Sequence, residues 1–180
     1  MTTVCLVGTP EYDLRYELLS RETARDALAT YALDRPFDNS VAVETISLGA
    51  AVALVNDLAW YLVRFVDTTL VHEPSVSDGE WLSRDLAAAI RDGAVTPEES
   101  GRYLKIYGVE HPESTERPDE ARADGAATSP TEEPGDSPAG PPRLVEPMFV
   151  ARTGRQLPEY DLRDVDETLV VRVTEDEFGG

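Results

Sequence analysis

Asp57, Trp60 and Arg64 stand three and four residues apart in NDLAWYLVRF. On a helix that spacing places them on one face, each about a turn from the next. A flat aromatic ring between a carboxylate and a guanidinium could hold a ligand, with the ring taking a stacked or cationic group and the charges orienting a polar one. The same spacing describes a solvated face whose charges pair along the helix, with Arg64 in reach of Asp67. Tyr61 and His72 are the other nearby groups with acid–base chemistry. This is a thin basis for catalysis, so no catalytic residue is assigned, and Asp57, Trp60 and Arg64 are candidates for ligand binding alone.

Other chemistry lacks its residues. Nitrogen–sulfur metal sites need clustered His or Cys, and the chain has His72, His111 and Cys5. No metal site is expected, and no cofactor. Neither G-x-x-x-x-G-K-[ST] nor G-x-G-x-x-G follows the first apolar stretch, so the two familiar phosphate cradles are missing. G-x-S-x-G does not occur either. Cys5 lies within the apolar Val4-Cys5-Leu6-Val7 and reads as a small buried hydrophobe.

Charge is the strongest signal. Thirty-five acidic residues face sixteen basic ones, a net −19 with a pI near 4.3. Lys105 is the sole lysine, beside fifteen arginines. Dense carboxylates with almost no lysine suit a cytoplasm of high salt, where self-repulsion is screened and solubility is kept. The acidity is spread along the chain, with −9 in residues 1–110, −5 in 111–143 and −5 in 144–180. No basic cluster appears, which argues against nucleic acid as a partner.

The run Ala50 to Val71 has the length of a bilayer span, but it contains Asp57, Arg64 and Asp67. Each central charge costs about 2.5 to 3.5 kcal/mol, and each large apolar residue returns only about 0.3 to 0.6. It is expected not to span. Projected as a helix, its apolar residues cover most of the circumference and leave one polar stripe, which predicts the central packing element of the fold. The N-terminus has no basic region ahead of an apolar one, so no signal peptide is expected and the protein is read as cytoplasmic.

Around this element the expected order is a strand over residues 2–7, a helix over 11–32 with a break near Ser20, and a strand over 41–48. Ser77-Asp78-Gly79-Glu80 has the spacing of a capping box and predicts a helix running to about Asp92. Thr96-Pro97-Glu98-Glu99 predicts a short helical turn, and Arg102 to Val109 a third strand. Residues 111–143 hold seven of the thirteen prolines and no Leu, Ile, Val, Met or aromatic residue. Such a segment reads as a disordered linker. Residues 144–180 read as a β-hairpin that docks on the first domain, because a hairpin of that size is marginal alone. The expected fold is α+β, a single mixed sheet packed by three main helices, with domains 1–110, 111–143 and 144–180. The hexapeptide Pro10–Arg15 recurs as Pro158–Arg163, too short a match to mark a duplicated domain.

VCLVGTPEYDLRYELLSRETARDALATY, VAVETISLGAAVALVNDLAWYLVRFVD, EPSVSDGEWLSRDLAAAIRDG and YLKIYGVE resemble a small family of uncharacterised haloarchaeal proteins over residues 1 to about 110. The resemblance implies a haloarchaeal source and carries no activity or site residues. Two functions of different class remain. One is a non-catalytic module that binds another protein; the other is a small-molecule binder or enzyme using a cleft around Asp57, Trp60 and Arg64. On either, truncating Trp60 is expected to cost about 0.5 kcal/mol or less.

Overall fold

The short apolar run in TTVCLVG, ended by a turn, sets the first strand of the sheet. The structure, a computed structural model that describes residues 1–112, 140–152 and 167–179, makes it β1 (Thr2–Gly8). Helices α1 (Leu14–Leu19) and α2 (Glu22–Leu28) follow, then β2 (Ser40–Thr45). Helices α3 (Leu48–Asp57) and α4 (Ala59–Phe65) run into β3 (Val66–His72). Next come β4 (Trp81–Ser83), α5 (Arg84–Arg91) and β5 (Tyr103–Glu110). The last described elements are β6 (Arg143–Ala151), β7 (Glu167–Val173) and α6 (Glu175–Gly179).

The strands form one seven-stranded sheet in the order β2-β1-β3-β4-β7-β5-β6. β4 and β7 pair parallel, and the other neighbours pair antiparallel. Helices α1 to α5 share one apolar cluster with Val4, Leu6, Val41, Val43, Val71 and Leu82, which puts them on one face of the sheet. Cys5, Ala42, Leu70, Val171 and Val173 belong to the opposite face, where Phe37 and Phe178 pack. Burial pushes the Cys5 thiol up to about 12, against a smaller opposing effect of its hydrogen bond with Ser40. The fold is α+β with a single mixed sheet, as the sequence predicts.

Within that class several local expectations change. The apolar run is not one helix. It bends by 69° at Leu58, and from Val66 onward it is a central strand. Among the described residues no single helix is long and apolar enough to cross a membrane. Val66, Thr68, Thr69 and Val71 are β-branched, and their preference for a pleated surface overrides the helical projection. The break near Ser20 is present, although Ser20 ends α1 and Arg21 opens α2 without a side-chain cap. β2 stops at Thr45, freeing Ser47 to cap α3 by accepting from Ala50 N at 3.1 Å.

The predicted capping box also moves. Ser77 Oγ accepts from Glu80 N at 3.1 Å, but the helix begins at Arg84, capped by Ser83. Thr96 N and Oγ1 donate to Glu99 Oε2 at 3.3 and 3.0 Å, closing a turn and not a helix. The C-terminal strands join the sheet of the first domain as expected. They do not pair with each other, however, so they are not a hairpin. β5 lies between them, and β7 is inserted between β5 and β4. The predicted linker falls mainly on residues outside the described ones, as does the second copy of the hexapeptide.

Candidate functional site

The first candidate surface is built by the loop that follows β1. Asn39, at φ 51°, accepts from Leu14 N at 2.9 Å and donates to Thr9 O and Tyr12 O at 2.9 and 2.8 Å. Gly8 is required beside it: a Cβ there would meet Asn39 Nδ2 at 2.7 Å and Leu14 Cβ at 2.8 Å. These contacts seat α1 against α4, where the Tyr12 ring meets Phe65 edge-on at 5.0 Å. Asp13 caps α1 by accepting from Tyr16 N at 3.0 Å.

On α4 the Arg64 guanidinium lies over the Trp60 ring at 3.8 Å and donates from Nη1 to Trp60 O at 3.0 Å. Arg21, from the start of α2, approaches the same ring at 5.2 Å while pairing with Glu17 at 3.8 Å. Trp60 is 48% exposed between them. Asp57 is exposed at the end of α3, across the bend, and has no ion pair among the described residues. Trp60 and Arg64 are thus brought together, and Asp57 is not joined to them. Arg64 stacks on the indole and makes no pair with Asp67, which has passed into β3. The cavities found among the described residues are lined by other side chains.

Tyr61 is buried in the helical layer. His72 Nε2 bonds Asp78 O at 2.9 Å, and the His72 ring lies 5.4 Å from that of Trp81. The Tyr61 ring meets that of Trp60 edge-on at 5.0 Å and backs it from the core side, whereas the His72 contacts lie where β3 meets β4. They are held as parts of the fold.

A second site was not visible in the local spacing. On the helix-covered face, the register aligns Val43, Val4, Val71, Leu82, Arg172, Leu104 and Val150 across the sheet. An arginine therefore sits in an otherwise apolar row. Glu80, two residues before Leu82, and Arg152, two after Val150, reach it from either side. Arg172 Nε donates to Glu80 Oε1 at 2.7 Å, and Arg152 Nη2 donates to Glu80 Oε2. Arg172 Nη1 also donates to Ser100 Oγ at 2.9 Å, and that hydroxyl donates to Pro97 O at 2.6 Å. The three charged side chains are only 13–15% exposed. Burial alone would raise the Glu80 carboxyl, but the hydrogen bonds and charges of Arg152 and Arg172 outweigh it and hold the carboxyl below its ordinary value.

Beside this cluster opens a cavity of about 930 Å³, lined by Ser100, Gly101, Arg102, Arg152 and Arg172 among others. Arg152 Nε is buried without a hydrogen-bond partner among the described residues. The sequence signal for this site was weak but present: Arg172 interrupts the apolar LVVRV, and Glu80 precedes a strand residue. Their meeting depends on the parallel β4–β7 pairing, which spacing along the chain does not reveal.

The family model described as a family of unknown function (DUF5804) matches residues 2–109. The chain belongs to this family. No curated protein and no solved structure matches it significantly. The DUF5804 segment ends within β5, so Glu80, Ser100, Gly101 and the whole Trp60 surface belong to it. Arg152, the residue after β6, and Arg172, on β7, lie beyond the DUF5804 match, in the part of the chain whose strands complete its sheet.

Proposed function

We propose that this DUF5804 protein is a non-catalytic interaction module of a halophilic archaeal cytoplasm, and that it binds another protein through the face shared by α1 and α4. The observation that carries the reading is the half-exposed Trp60, held in one orientation by Arg64 and flanked by Arg21. Exposed Tyr16 and Val63 extend the surface, at 68% and 80%. Tryptophan, tyrosine and arginine are the residues that dominate binding energy at protein interfaces: the aromatic rings give large contact area at low entropic cost, and the guanidinium gives a planar set of donors. In a chain of net −19 a face carrying Arg21 and Arg64 suits an acidic partner segment.

Capture from a native high-salt lysate tests this with wild type, Trp60→Ala and Ile46→Ala, Ile46 being exposed after β2. Loss of the same partner from Trp60→Ala alone is the expected result; equal capture by all three would overturn the reading. Because half of the indole is covered, Trp60→Ala should also cost about 1 to 2 kcal/mol, above the value for a fully solvated position.

The halophilic part of the proposal has its own test. Carboxylates spread along the whole chain repel one another, and salt screens them over about 10 Å at 0.1 M but about 3 Å at 1 M. The thermal midpoint should fall as KCl is lowered from about 1 M to about 0.1 M. Equal midpoints would show that the acidity is not an adaptation to salt.

A further inference from the structure

We propose that the cavity beside Arg152, Arg172 and Ser100 is a binding site for the oxyanion group, carboxylate or phosphoryl, of a small solute. Among the described residues two guanidinia share one carboxylate, so the cluster keeps one surplus positive charge on side chains that are almost wholly covered. Such a charge is costly unless an anion reaches it. Arg152 Nε–H is buried and without a partner among the described residues, a donor left over from the Glu80 contact.

Gly101 leaves the space in front of the guanidinia open. A Cβ at this position would stand 3.1 Å from Arg152 Nη1 and 3.5 Å from Arg172 Cζ. The guanidinium fork matches the geometry of carboxylate and phosphate oxygens, which accept its paired N–H groups. Glu98, Glu99 and Glu175 line the same cavity and are exposed, so its mouth carries the sign of the rest of the chain. A large polyanion meets that repulsion before it meets the arginines. A small solute of low charge can enter.

The test follows the arginine Nε–H resonances by nitrogen-15 NMR at constant ionic strength in KCl, titrating inorganic phosphate in one arm and succinate in the other. A saturable shift of the Arg152 and Arg172 signals above the chloride background is expected in at least one arm. Saturation by phosphate alone marks a phosphoryl site, and by succinate alone a carboxylate site. No saturable shift in either arm would overturn the proposal and leave the cluster a structural tie. Gly101→Ala, which fills the approach without removing a charge, should weaken binding about tenfold, as losing one charge-assisted hydrogen bond does. Unchanged affinity in that variant would place the anion elsewhere and also overturn the assignment. Should Gly101→Ala fail to fold, Glu80→Gln supplies the second reading. It raises the surplus charge and should tighten binding, and weaker or equal binding would count against the site.

Discussion

Leu58→Ala is expected to lower the unfolding free energy by about 2 to 5 kcal/mol, measured from denaturant midpoints at fixed salt. Leu58 is 1% exposed at the bend between α3 and α4, and it belongs to the cluster that α1 to α5 share with the sheet. Its carbonyl accepts from Tyr61 N at 2.9 Å and Leu62 N at 3.0 Å, starting α4 in its new direction. Truncation therefore removes apolar burial and leaves a cavity at the point where two helices converge on β1 and β3. A domain of this size has only about 5 to 15 kcal/mol to lose. Val63→Ala, five residues on but 80% exposed, is the matched control and should stay within about 0.5 kcal/mol. A loss below about 1 kcal/mol at Leu58 would mean that the bend is not packed as described.

The same bend shows why periodicity was an incomplete guide. From Leu54 to Phe65 the apolar positions satisfy a helical projection in both helices, and the projection is indifferent to a change of axis at one residue. Past Phe65 it went on fitting, although VDTTLVH is dominated by β-branched side chains that form the strand at the sheet's centre. Short-range chemistry was more legible. β1, β5 and the two C-terminal strands were readable as apolar stretches bounded by turns, and the docking of the last two followed from their small size. Their order was not readable, because whether β6 and β7 pair or flank β5 is decided by contacts far apart in sequence. Trp60 and Arg64 were found together because one turn of helix joins them. Glu80, Arg152 and Arg172 were missed because three strands join them.

The last expected result tests that three-strand junction. Glu80→Ala should cost about 3 to 5 kcal/mol, as removing one partner of a buried ion pair does, by leaving two covered guanidinia without their shared acceptor. Because the wild-type carboxyl is held below its ordinary value, its stabilising effect is fully present above the unfolded-state carboxylate range. It is lost as the pH falls through the lowered folded-state value. The gap between wild type and Glu80→Ala should therefore be widest near neutrality and close in acid; a gap independent of pH would exclude the charge as its cause. The triple variant Glu80→Met, Arg152→Met, Arg172→Met separates folding from binding. Arg172 lies between Leu82 and Leu104 in the sheet register, so an apolar side chain suits its place. Well-packed apolar replacements of buried ion clusters are often neutral or stabilising. The triple variant should regain most of the stability that Glu80→Ala loses while binding neither phosphate nor succinate. If it stays as unstable as Glu80→Ala, the arginines are needed for the fold itself. If it regains stability, the fold does not need the charged triad, and loss of phosphate and succinate binding in the same folded variant assigns the triad to the anion site.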